Sequence, residues 1–116
     1  VLVESQRKRA NFLKAVIRSI EFSKIQCVYG RVTDFPELMG EYDFVTLRHV
    51  LKPQLSLQLG AGLLTLGGSL ILQTSCDESF QFNFLESLRL SLVNEIFFEG
   101  SGSAHSQIMV FKRNSS

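Results

Sequence analysis

Val1-Leu-Val-Glu4-Ser5-Gln-Arg7-Lys8-Arg9-Ala-Asn-Phe12-Leu13 is the stretch whose reading decides the fold. An apolar run, Val1 to Val3, stops at an acid, Glu4, and the residues that follow place Phe12, Leu13, Val16, Ile17 and Ile20 at helical spacing. The stretch reads as a strand, a tight turn and a helix. In open parallel α/β sheets ligands bind at the carboxyl ends of the strands, where an acidic side chain can accept the two hydroxyls of a ribose. Glu4 stands at such an end. A plainer reading stays open beside it: Ser5 caps the helix by bonding an early backbone N–H, and Glu4 favours the positive end of the helix dipole.

Outward from this stretch, Ile25 to Tyr29 forms a short β-rich strand that Gly30 ends. Residues 30–41 hold Gly30, Pro36 and Gly40 and read as a loop with one helical turn around Phe35 to Met39. Tyr42 to Leu47 is apolar except for Asp43 and Thr46, as expected of a strand buried on both faces, and it ends at Arg48-His49. Pro53 opens a helix through Leu55, Leu59, Leu63 and Leu64, since the N–H that proline lacks has no partner in a first turn. Gly67-Gly68 reads as C-cap and turn, and Ser69 to Thr74 as the next strand. Phe80, Phe82, Phe84, Leu85 and Leu88 fit a short helix or an alternating strand equally. Leu90 to Phe98, a Gly-Ser turn at Gly100 to Ser103 and a strand from Gln107 to Lys112 close the chain as an antiparallel hairpin. The sum is an α/β chain with mostly parallel connections.

With 116 residues, 45% apolar and 20% charged, the chain has the composition of one modest globular domain, which excludes disordered and collagen-like classes. A net charge of +1 gives no whole-molecule attraction to nucleic acid, although Arg7, Lys8 and Arg9 form a local basic cluster. Cys27 and Cys76 lack metal-ligand spacing and fit buried free thiols in a reducing cytoplasm. No apolar run approaches membrane-spanning length, so a soluble cytoplasmic protein without a metal is expected. His49 and His105 are isolated, and no Ser–His–Asp or paired-carboxylate arrangement follows from the spacing.

The run Glu4-Ser5-x-x-Lys8-Arg9-x-x-Phe12-Leu13 resembles the second strand and following helix of the RsmG or GidB family, bacterial guanine-N7 methyltransferases of small-subunit (16S) ribosomal RNA. Four further segments fall in that family's order: Gly30 to Phe35, Tyr42 to Arg48, Gly67-Gly68 before a strand, and a last apolar strand from Ile108 to Phe111. The resemblance implies a Rossmann-like class I methyltransferase fold with strand order three, two, one, four, five, seven, six and an antiparallel seventh strand. It implies S-adenosyl-L-methionine as cofactor. Glu4, with Ser5 beside it, would take the ribose, and Val32 and Thr33 match the pair that binds adenine largely through backbone groups. Asp34 is an alternative acceptor for the adenine amino group, and Arg48 matches the family arginine that sits against the cofactor; apart from the resemblance, pairing with Asp43 or Glu41 describes Arg48 equally well. Arg7, Lys8, Arg9, His49 and Lys52 are the candidates for RNA contact, with His49 able to stack on a base.

The chemistry suits the absence of an acid–base set. Guanine N7 carries a lone pair and no proton, so methyl transfer to it needs in-line positioning and no general base. Two departures from the family pattern stand against this: Arg48-His49 replaces Arg-Ala, and Gln73-Thr74-Ser75 replaces a Lys-Gly strand end; a third, Thr33 in place of an acid, is tolerable because backbone contacts survive a side-chain change. The chain also opens inside what matches the second strand, so it is expected to be the later part of a single methyltransferase domain, residues 1–116 being incomplete and the sheet falling into two pieces. A non-catalytic remnant of the fold that binds RNA or a protein is the alternative from another class. A nicotinamide dehydrogenase shares the acidic strand end but lacks a glycine fingerprint here.

Overall fold

The computed structural model of the chain describes residues 1–21, 26–48, 52–75, 79–99 and 105–114. Ile25, His49, Cys76 and the turn at Gly100 to Ser103 lie outside the described residues. The chain divides into two compact units, Val1–Glu37 and Leu38–Ser116.

The first unit begins with a strand, β1 (Leu2–Glu4), continues through a helix, α1 (Arg7–Ser19), and returns in a second strand, β2 (Cys27–Tyr29). The two strands pair in parallel with Leu2, Val3 and Glu4 opposite Cys27, Val28 and Tyr29. This is the strand–helix–strand unit that the opening stretch predicts. Ala10 and Cys27 are buried between helix and strands, and the Cys27 thiol donates to the Ala10 carbonyl at 3.9 Å. Part of the apolar stripe of α1 faces outward: Phe12 is 68% exposed, as is Ile20, just past the helix, to 52%. The helix stops at Ser19 without a glycine, and Glu21 turns the chain at φ +57°. Short 3-10 turns at Val32–Asp34 and Pro36–Leu38 occupy the loop in which a single helical turn is expected.

The second unit contains β3 (Tyr42–Arg48), α2 (Pro53–Leu63), β4 (Leu64–Ser75), α3 (Phe82–Ser87), β5 (Leu90–Glu99) and β6 (His105–Arg113). Its sheet has the order β3-β4-β6-β5, with β3 and β4 parallel and β6 antiparallel to both neighbours. Taken with β1 and β2, these are the pairings expected from the resemblance, and the strands form two sheets, of two and four members. Leu57 and Ala61 of α2 and Leu85 of α3 pack with Leu70, Leu72, Met109 and Phe111 on one sheet face. Burying each of the larger of these side chains contributes about 1.5–3 kcal/mol. Gly60 lets α2 approach this closely: a Cβ there would lie 2.7 Å from Leu70 Cδ1 and 3.2 Å from Leu47 Cδ1. The Phe80 ring stacks on Phe84 at 6.2 Å and meets Phe111 edge-on at 5.9 Å, which accounts for an α3 in helical form.

Three expectations need correcting. β3 is buried on one face and not two: Val45 and Leu47 lean on the core, whereas Phe44 is 72% exposed, because β3 is an edge strand and both helices lie on one side of the sheet. Gly67-Gly68 is no helix cap. α2 ends at Leu63 and passes straight into β4, and the glycines sit inside that strand at an irregularity where Tyr42 and Phe44 of β3 oppose Leu64 and Ser69. Gly67 supplies a left-handed φ of +81° there, and a Cβ on Gly68 would meet the Thr65 and Asp43 carbonyls at 3.0 and 3.1 Å. Finally, Ser5 does not cap α1: the cap position falls on Gln6, with no side-chain cap bond. Among the described residues no helix is long and apolar enough to cross a membrane.

Candidate functional site

β1 and β2 run parallel, so Glu4 and Tyr29 end at the same edge of their sheet and lie side by side in register. Two bonds fix Glu4. Its carbonyl accepts the Gly30 N–H at 2.9 Å, and its carboxylate Oε1 accepts the Gln6 N–H at 3.1 Å. The second bond arises from sequence proximity, since a carboxylate two residues ahead of a helix cap satisfies a backbone donor that the helix leaves over. Glu4 is half-buried, with Ser5 exposed beside it. A carboxylate held in this way keeps acceptor sites on two oxygens, enough for a pair of vicinal hydroxyls.

The chain leaving β2 turns at Gly30, φ +148°, where a Cβ would touch the Phe35 ring at 3.0 Å. Asp34 closes the turn by accepting the Arg31 N–H on Oδ2 at 3.0 Å while its own N–H donates to the Arg31 carbonyl at 2.9 Å. The backbone of Val32 and Thr33 lies within this turn, and the Thr33 and Asp34 side chains are exposed. Glu4, Ser5, Thr33 and Asp34 therefore belong to strand ends and turns joined through the Glu4–Gly30 bond.

The basic candidates divide. Arg7, the first residue of α1, lays its guanidinium over the Tyr29 ring, 5.4 Å from the centroid. Lys8 and Arg9 are exposed on the same turn of helix. Arg48 and Lys52 belong to the second unit, Arg48 exposed at the end of β3 opposite Gln73, Lys52 exposed just ahead of α2. The Asp43 carboxylate accepts the Thr65 hydroxyl at 2.9 Å and sits five residues from Arg48, about 16 Å along an extended strand. That spacing disfavours an Asp43–Arg48 pair. Tyr29 is the residue that the sequence reading overlooks. Its signal was an aromatic at the last strand position before a glycine, in register with the acid.

Among the described residues no group of three or more His, Cys, Asp or Glu is placed to hold a metal ion. The residues present fit the nucleoside half of S-adenosylmethionine: an anchored carboxylate for the ribose and a backbone turn for the adenine.

Comparison with known proteins places the chain in a family. Curated proteins named ribosomal RNA small subunit methyltransferase G are similar to the chain: that of Streptococcus pneumoniae serotype 19F is 32% identical over 73 residues, 60% of this chain and 31% of the relative. That of Desulfitobacterium hafniense is 37% identical over 70 residues, 58% of this chain and 29% of the relative. The chain thus spans less than a third of the length of these relatives. Among solved structures, M. jannaschii TYW2 in complex with AdoMet superposes with a TM-score of 0.70 at 13% identity, covering 95% of this chain and 54% of that one. A 30S ribosomal methyltransferase from an uncultured bacterium gives 0.73 at 14% identity, covering 96% and 74%. These likenesses establish the class I methyltransferase fold. Residues 1–94 match the model of the GidB family, rRNA small subunit methyltransferase G, and the chain belongs to that family.

Proposed function

We propose that this chain forms the nucleoside-binding and later sheet portion of an S-adenosylmethionine-dependent methyltransferase that modifies guanine N7 in small-subunit ribosomal RNA, working as a soluble cytoplasmic protein. The observation that carries the reading is Glu4, half-buried at the carboxyl end of β1, fixed by main-chain bonds beside the turn that follows β2. In this reading Glu4 holds the ribose hydroxyls, and the backbone of Val32 and Thr33 edges the adenine, with Asp34 near its amino group. Arg48 takes the role of the family's cofactor-facing arginine. The cofactor, when bound, supplies an electrophilic methyl on a sulfonium. The chain's part is to orient it, since the N7 lone pair needs no base. Lys8, Arg9 and Lys52 are exposed cations suited to phosphate contacts, which position RNA without reading its sequence. Nothing in the comparisons favours the non-catalytic remnant, which the departure at Gln73-Thr74-Ser75 alone would suit.

Calorimetric titration of S-adenosylhomocysteine into the family's full-length protein carrying this chain tests the assignment. Binding is expected, and Glu4→Ala weakens it by at least about tenfold, the loss of charge-assisted bonds to two hydroxyls. Glu37→Ala, which removes a carboxylate elsewhere in the same unit, leaves it unchanged. Equal affinity in Glu4→Ala and the parent would overturn the assignment of Glu4. N7-methylguanosine in small-subunit RNA treated with the family's full-length protein carrying this chain tests the activity.

A further inference from the structure

Arg7 opens α1 beside Lys8 and Arg9, yet its guanidinium lies over Tyr29, 5.4 Å from the ring centroid. Tyr29 is the register partner of Glu4, and the residue after it, Gly30, donates to the Glu4 carbonyl. The residue before Arg7, Gln6, donates to the Glu4 carboxylate. The Arg7–Tyr29 contact therefore closes a ring around Glu4: helix start to strand end on one side, strand end to strand end on the other. Each strand of this sheet has three residues, too few to hold a fixed strand end by ladder bonds alone. Tyr29 is 47% exposed, so the cation contributes a contact that the hydrophobic core does not supply.

We infer that Arg7 is a positioning residue for the nucleoside end of the cofactor, acting through Tyr29 to hold the Glu4 carboxylate in place. This rests on the cofactor reading above and goes beyond it, because it takes Arg7 out of the set that contacts RNA. Lys8 and Arg9 retain that role.

The test, in the family's full-length protein carrying this chain, is titration of S-adenosylhomocysteine into Arg7→Ala, Arg7→Lys, Tyr29→Leu and the Arg7→Ala/Tyr29→Leu pair, with amide exchange at Gln6 and Gly30 followed in each. Arg7→Ala and Tyr29→Leu each weaken binding about three- to tenfold, the range of one partly exposed cation–π contact. The pair loses no more than either alone, and Arg7→Lys, which restores a cation over the ring, recovers most of the loss. Exchange at Gln6 and Gly30 speeds up in the two single variants and not in Arg7→Lys. Unchanged affinity in Arg7→Ala, with the parent binding normally, overturns the proposal and leaves the cofactor reading standing. So does a loss in Arg7→Ala that Tyr29→Leu does not share, which would mean direct contact with the ligand. A parent that binds no S-adenosylhomocysteine overturns the cofactor reading, and the positioning role falls with it.

Discussion

Arg89 holds φ at +58° between α3 and β5, a conformation that costs a residue with a Cβ about 1 kcal/mol and costs glycine little. Its backbone is committed on both sides, the N–H to the Glu86 carbonyl and the carbonyl to the Asn114 N–H at 2.8 Å, so the turn cannot relax. Arg89→Gly should stabilise the second unit by about 0.5–1 kcal/mol, read as a shift in the urea midpoint with unchanged slope. Arg113 acts in the opposite sense. Its guanidinium donates to the Leu64 carbonyl at the point where α2 becomes β4, and its Nε is buried without a hydrogen-bond partner among the described residues. The bond to a charged donor outweighs that one orphan, and Arg113→Met, which keeps the stem, should lower stability by about 1–2 kcal/mol. A midpoint equal to that of the parent would mean the orphaned nitrogen cancels the bond.

At the scale of elements, α2 holds two glycines with opposite consequences. At Gly60 a Cβ would press on both methyls of Leu70, which is fully buried, and on Leu47. At Gly62 it would meet only the end of the Met39 side chain, the methyl at 2.7 Å and the sulfur at 3.8 Å, in a residue that is 47% exposed. Alanine improves helix propensity by about 1 kcal/mol at either site. Gly62→Ala should therefore stabilise by about that amount, whereas Gly60→Ala should destabilise by about 1 kcal/mol net, since overpacking a filled core costs about 1–3 kcal/mol. Equal melting shifts for the two variants would refute this account of how α2 seats on the sheet. The same elements explain what was legible in the sequence. Strand positions and the mostly parallel connections followed from apolar runs and connection lengths, whereas the strand order followed from the family resemblance. Helix ends did not, because the reading relied on glycine as a stop: α1 and α3 end at Glu21 and Arg89 in left-handed form, while Gly67 spends its freedom inside β4. The facing of β3 was also illegible, because an edge strand and a central strand share one composition and differ only in what covers them.

For the whole molecule, apolar burial is divided unevenly. The contiguous core belongs to the second unit, whereas Ala10 and Cys27 are the buried apolar residues of the first among those described. Amide exchange should reflect this: Leu2 and Gly30, bonded across β1 and β2, should open at lower free energy than Leu72 and Met109 in β4 and β6. Identical opening energies would mean the chain unfolds as one cooperative body. The candidate site follows the same division. The place of Glu4 was legible because a strand end is marked by its change of character, and its bond to Gln6 is local in sequence, but its neighbour Tyr29 depends on register, which no single stretch encodes. The placing of the aromatics has an optical consequence. The chain has 2 tyrosines and no tryptophan; Tyr29 falls in the first unit and Tyr42 in the second, so each unit carries its own ultraviolet fluorophore with no indole to drain its emission. Tyr42→Phe would leave a chain whose entire tyrosine emission comes from the ring beneath Arg7, and the light from that single residue would report on the strand end that holds Glu4.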